Sequence, residues 1–272
     1  MRALTYKIIP DRKLLPKLTS HYASLEIIHD SIKTSYKEYI LKRASPSIIP
    51  IAVTDQQRND FENAYLNKPV KAGLDWIPSI YINGLSSCPF CGGDGGRTIE
   101  HFLPQASYPE FAVYSLNLMP SCANCNSKRN ALNAYGAKIK LLHPFFDKVL
   151  LKKLDVYTHI SFASGIIGFN LIYDRTPFND EQQERIDHHL NTSIDEISYI
   201  NKCLSSLESL TITAELHKDL PSFMDHVIKE EIYTCVRKKD FNSWHHALCK
   251  GVTRLPATQV LAIFSPHFGR RC

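Results

Sequence analysis

Two Cys-x-x-Cys pairs, Cys88/Cys91 and Cys122/Cys125, constrain this chain more than any other feature. Such a turn lets both sulfurs face one ion, and structural zinc sites commonly take two thiolates from each of two short turns. Pro89 stiffens the first turn, and Gly92, Gly93, Gly95 and Gly96 let the chain reverse after it. The pairs stand 30 residues apart, too far for a compact ribbon, so a further unit has to fit between them. Paired disulfides and free buried thiols are the alternatives. The opening MRALTYKIIPDRK lacks the apolar stretch of a secretory signal. A reducing, cytoplasmic setting is therefore expected, in which paired spacing reads as a metal site. Cys203, Cys235, Cys249 and Cys272 lack such spacing. The first three read as core residues and Cys272 as exposed.

The segment between the pairs carries the polar chemistry. Ile99-Glu100-His101-Phe102-Leu103-Pro104 reads as a strand ended by proline. Adjacent strand residues point to opposite sides, so Glu100 and His101 need a local distortion to serve one phosphate. A helix is expected to begin at Asn126, over NSKRNALNAYGAKIK. Its N-terminus would favour phosphate, and Lys128 and Arg129 in its first turn read as phosphate contacts. Hydrolysis of a phosphodiester needs an activated water, a neutraliser of developing charge and help for the leaving oxygen. A histidine with an ordinary pKa near 6.5 is poised as the base, and a divalent ion supplies the rest.

The pattern C-x-x-C, EH-F-L-P, N-L, C-x-x-C-N-x-K resembles the HNH endonucleases, in their zinc-stapled ββα-metal branch, over about residues 80–147. The resemblance implies an α+β protein, mainly helical, with an embedded treble-clef-like module. It makes His101 the general base, with Glu100 and Asn126 holding one catalytic Mg²⁺ or Mn²⁺. Asn117 would orient the loop carrying His101, and the products would be 5′-phosphate and 3′-hydroxyl ends. Many members have Asp where this chain has Glu100, and His where it has Asn126. A neutral asparagine favours Mg²⁺ or Mn²⁺ over a second zinc. The following Leu141–Asp147 segment, with His143-Pro144-Phe145-Phe146, is similar to one found after the HNH core in some members. There His143 either approaches the scissile phosphate or closes the module in a turn whose aromatics are core. The chain also resembles the nuclease component of bacterial anti-phage systems of the Septu type, which implies an ATPase partner. A zinc-dependent module that only binds nucleic acid or docks a protein is the competing reading.

The rest of the chain frames this module. Its 272 residues, 44% hydrophobic and 22% charged, fit a globular protein, divided as a helical region at 1–79, the module at 80–147 and a hairpin-plus-helix region at 148–272. There is no apolar run of 18 residues, so no membrane span is expected. A net charge of +5 permits DNA binding without proving it. Basic residues dominate residues 1–43, either as a DNA-contacting arm or as a solvated face. Leu25, Ile28, Ile32, Tyr36 and Ile40 recur at helical spacing, and Thr54 reads as an N-cap. Residues 149–174 read as a β-hairpin with a Ser-Gly turn. Helices are expected at about 178–191, 194–209, 212–236 and 240–250, with Asn179 or Asp180 capping the first. His188-His189 read as part of a solvated helix face.

Overall fold

The computed structural model describes residues 1–5, 9–80, 85–94, 98–129, 132–163 and 166–270. Gly95, Gly96, the Ser164-Gly165 turn and Cys272 lie outside them. The architecture is mixed α and β, about half helical, with two separate two-stranded antiparallel sheets.

The N-terminal region is helical: α1 (Asp11–His21), α2 (Ala23–Glu26), α3 (His29–Leu41) and α4 (Asp55–Asn67). The expected single helix from Leu25 breaks between α2 and α3. Leu25, Ile32 and Tyr36 of its apolar stripe are buried, while Ile40 is half exposed and Tyr39 is buried instead. Thr54 caps α4 in a reciprocal box: its hydroxyl accepts from the Gln57 N–H, and the Gln57 side chain accepts from the Thr54 N–H.

The central unit is β1 (Thr98–His101), β2 (Leu118–Ser121) and α5 (Ala123–Arg129). The strands pair in regular register, Glu100 opposite Met119 and His101 opposite Leu118. Between them the chain makes a 16-residue excursion through a single helical turn at Pro109–Phe111. Helix α5 starts three residues before the expected Asn126, because the second Cys-x-x-Cys turn is itself its first turn. Lys128 and Arg129 therefore fall in the last turn of α5, where positive charge complements the helix dipole.

The expected hairpin begins later than its apolar pattern: residues 148–153 form α6 (Lys148–Lys153). Then β3 (Val156–Ala163) pairs with β4 (Ile166–Tyr173). Helices α7 (Asp180–Ser193) and α8 (Glu196–Ala214) follow, with Asn179 forming the expected capping box on α7. Then come α9 (Leu220–Phe223), a π turn, α10 (Lys229–Arg237), α11 (Trp244–Arg254) and α12 (Ala257–Phe264). Helix α11 lies on β3 at Gly251, where an added Cβ would stand 2.3 Å from the Thr158 carbonyl oxygen. One buried apolar cluster draws on all three regions, from Leu15 and Tyr39 through Phe102 and Phe111 to Tyr199 and Phe264. The central strands are thus walled by helices distant in sequence. Among the described residues, no helix is long and apolar enough to cross a membrane.

Candidate metal centre and polar site

The four sulfurs of Cys88, Cys91, Cys122 and Cys125 lie within 4.8 Å of one another, and Cys91 and Cys122 are 3.7 Å apart. A Zn–S bond of about 2.3 Å puts tetrahedral sulfurs about 3.8 Å apart. The cluster therefore has the size and donor chemistry of a four-thiolate zinc site. Backbone N–H groups aim at the sulfurs: Gly93 at Cys91 (3.3 Å), Cys122 at Cys88 (3.5 Å) and Cys125 at Cys122 (3.4 Å). These bonds favour thiolates. Neighbouring thiols hold Cys88 well below the usual thiol range, while the same crowding pushes Cys91 and Cys125 up. A dication resolves that conflict by letting all four ionise.

The first knuckle is clasped by residues the sequence reading left aside. The Trp244 indole N–H donates to the Cys91 carbonyl at 2.7 Å, and the Trp244 backbone N–H donates to Gly92 O at 2.9 Å. Gly92 has φ +79°, and a Cβ there would lie 2.2 Å from the Asn242 carbonyl oxygen. On the other side, His189 Nε2 lies 2.9 Å from Phe90 O, while its Nδ1 accepts from the Leu142 N–H at 3.3 Å. His189 is buried and not on a solvated face, and burial pulls it down to about 3. Its signal was available: Ile186, His189, Leu190 and Ser193 form one helical stripe, all buried.

Glu100 and Asn126 come together beneath α5. The Asn126 amide lies 2.7 Å from Glu100 Oε2 and 3.2 Å from Ile99 O, so its nitrogen on this side donates to both. With the amide turned over, two oxygen donors converge instead, which suits a hard cation. The fit in donor type is good, although these are two side-chain donors only. Glu100 is 3% exposed, and burial pushes its carboxyl up to about 8 against the attraction of Arg129.

Arg129, expected to contact phosphate, is buried beneath the module instead. Its Nε sits 3.8 Å from Glu100 Oε1, its guanidinium lies 4.0 Å over the Phe90 ring, and Nη1 donates to Ser193 Oγ at 3.1 Å. The flat guanidinium fills an aromatic slot that a hydrated lysine would not. Lys128, the other expected contact, is exposed and paired with Asp195 at 2.7 Å. His143, named as a weak nucleic-acid contact, is fully buried. Its Nδ1 accepts from the Phe145 and Phe146 N–H groups at 3.1 and 3.3 Å, and its ring packs on Phe102. Asp147 accepts from the His143 N–H at 2.8 Å and pairs with Arg185. The segment is a turn that closes the module, because the ring lone pair that could approach a metal is spent on its own backbone.

His101 faces elsewhere. Its Nε2 lies 2.9 Å from Ala112 O, and its ring meets Tyr65 of α4 edge-on at 4.4 Å between centroids. Nε2 therefore carries the hydrogen, and Nδ1 keeps a lone pair. Burial pulls His101 down to about 4, so the ring is neutral at pH 7. The register of β1 shows no bulge, so the distortion expected to bring Glu100 and His101 to one side is not present. Glu100 contacts α5, whereas His101 contacts α4 and the Ala112 turn. His101 is the last paired residue of β1.

Asn117 is fully buried and joins four groups. Its Oδ1 accepts from the Leu103 N–H (2.8 Å) and the Tyr39 hydroxyl (2.9 Å), and its Nδ2 donates to Leu103 O (3.0 Å) and Phe111 O (3.2 Å). It ties the segment just after His101 to the excursion that supplies Ala112. Asn133 adds a parallel brace, donating to Phe102 O and accepting from the Leu141 N–H.

No family model and no solved structure matches the chain. A curated relative, protein ea31 of Escherichia phage lambda, is 35% identical over 127 residues, which is 45% of this chain and 42% of that protein. The chain thus spans under half the length of this relative.

Proposed function

We propose that this chain is a metal-dependent HNH endonuclease that hydrolyses phosphodiester bonds in DNA. The observation that carries the reading is the convergence of Asn126 and Glu100 at 2.7 Å across α5 and β1, inside a four-cysteine frame and one residue from His101. Three further features support it. The order strand, strand, helix is that of a ββα module. Asn117 holds the backbone after His101 through hydrogen bonds and touches no candidate ligand. The His101 ring is fixed by Ala112 O with Nδ1 left as the basic nitrogen.

In this reading Glu100 and Asn126 hold one Mg²⁺ or Mn²⁺, which when bound neutralises charge on the phosphate and the leaving oxygen. His101 Nδ1 takes the proton of the attacking water. A neutral imidazole at pH 7 is the form that step needs, and an approaching phosphate raises its proton affinity. The ring is oriented by Ala112 and Tyr65, so little reorganisation accompanies proton transfer. The four cysteines carry no step; their zinc fixes α5 against β1.

The buried ion pair of Glu100 with Arg129 favours a second reading, a zinc scaffold that binds nucleic acid or protein without cutting. Plasmid cleavage by wild type and Glu100→Gln across Mg²⁺ and Mn²⁺ concentrations separates the two. The nuclease reading expects cleavage to 5′-phosphate ends and at least a tenfold loss in the variant, about 1.4 kcal/mol of barrier. No cleavage by wild type favours the scaffold, and equal cleavage by both proteins removes Glu100 from the metal site. An ATPase partner in anti-phage defence is proposed on the resemblance alone, and co-purification from the native host tests it.

A further inference from the structure

The first 43 residues contain nine Lys and Arg against four Asp and Glu, and the remaining chain contains 23 of each. The whole net charge of +5 therefore resides in this N-terminal stretch. Much of it gathers around a groove of about 510 Å³ between α1 and α3. Arg12 and Lys13 stand on the α1 edge, Lys33 and Lys37 on the α3 edge, and all four are exposed. None of the four forms an ion pair among the described residues. Lys33 and Lys37 are one helical turn apart, a rise of about 6 Å. Leaving four exposed cations unpaired beside one groove costs self-repulsion that an anionic polymer would relieve.

The groove between these edges is apolar. Tyr36 and Tyr114 stack at 4.0 Å between centroids beneath it, and Ile40 is 49% exposed at its side. Leu116, which also lines it, is bonded through its carbonyl to the Tyr39 hydroxyl, and that hydroxyl also donates to Asn117. The surface is thus continuous with the brace behind His101. We propose that this groove docks a DNA strand, with phosphates on Arg12, Lys13, Lys33 and Lys37 and sugar faces on the apolar wall. The choice of DNA rests on the nuclease reading; the polyanionic character of the occupant rests on the charge.

The test is fluorescence-anisotropy binding of a labelled DNA duplex, in buffer without divalent ions, across a salt series. Arg12→Gln/Lys13→Gln/Lys33→Gln/Lys37→Gln is compared with wild type and with Lys152→Gln/Lys153→Gln/Lys218→Gln/Lys238→Gln, a control of equal charge on other exposed sites. Thermal melts verify that all three fold. Each lost phosphate contact lowers the slope of log affinity against log salt by about 0.9. The groove variant is expected to lose a slope of about 3.6 and at least tenfold in affinity at 100 mM salt, with the control near wild type. Equal losses in both variants, no loss in either, or no binding by wild type overturns the proposal. Groove-dependent binding without cleavage under any metal would remove the nuclease reading and leave the groove standing. Cleavage and binding that ignore the groove would do the reverse.

Discussion

The cysteine frame and the Glu100–His101 strand share one small ββα unit, yet they are held in opposite ways. Each half of the frame is local: its two sulfurs come from one four-residue turn, and backbone N–H groups two and three residues on already point at them. The polar strand is non-local. Glu100 takes its surroundings from α5, and His101 takes its own from α4 and the Ala112 turn, with Tyr39 of α3 bracing behind Asn117. A metal frame can therefore be fixed by short-range spacing, whereas the orientation of a reacting side chain depends on helices elsewhere in the chain.

The strongest way to break this contrast is to remove the frame. Cys122→Ser should lose zinc and lower the melting temperature by more than about 10 °C, since structural zinc contributes folding free energy directly. A melt within about 3 °C of wild type would mean the cysteines are packing residues. Gly92→Ala should come next, at about 4 kcal/mol by chemical denaturation, because it combines positive φ with a clash on the Asn242 backbone. Asn117→Ala strips the Leu103 N–H and carbonyl of their hydrogen bonds, removes one each from Tyr39 and Phe111, and should cost about 3 kcal/mol. If it lowers stability by under about 0.5 kcal/mol, the brace behind His101 is not the support described.

The smallest effect concerns pH. Glu110 is fully buried, accepts from the Ser35 hydroxyl and the Ile51 N–H, and burial pushes its carboxyl up to about 7. The folded state thus holds this proton more tightly than the unfolded state. Its contribution is complete below the unfolded value of 4.5 and is lost as pH rises through about 7. Glu110→Gln should therefore gain about 1–3 kcal/mol over wild type at pH 8 and little at pH 4. Identical pH profiles for the two proteins would contradict the assignment.

What the sequence revealed follows the same division. The two Cys-x-x-Cys halves of the cluster, the Thr54 and Asn179 caps and most helices were legible, because each depends on residues within a few positions of one another. Residues 149–153 were misread as strand, since a short apolar run looks alike in both structures and α6 is only six residues long. Arg129 was misplaced as a surface contact, and of the two readings of His143 the module-closing turn is the one seen. Arg129 is drawn inward by the Phe90 ring and Ser193, which no local pattern shows, whereas His143 is held by its own following N–H groups. Trp244 and Tyr39 reach the site from 153 and 78 residues away. Their contribution exists only once the chain is folded.

The most direct test measures zinc content and plasmid cleavage on the same preparations of wild type, His101→Ala and Cys122→Ser. The account predicts about one zinc per chain and metal-dependent cleavage for wild type, the same zinc without cleavage for His101→Ala, and neither for Cys122→Ser. Cleavage by His101→Ala at the wild-type rate would contradict it.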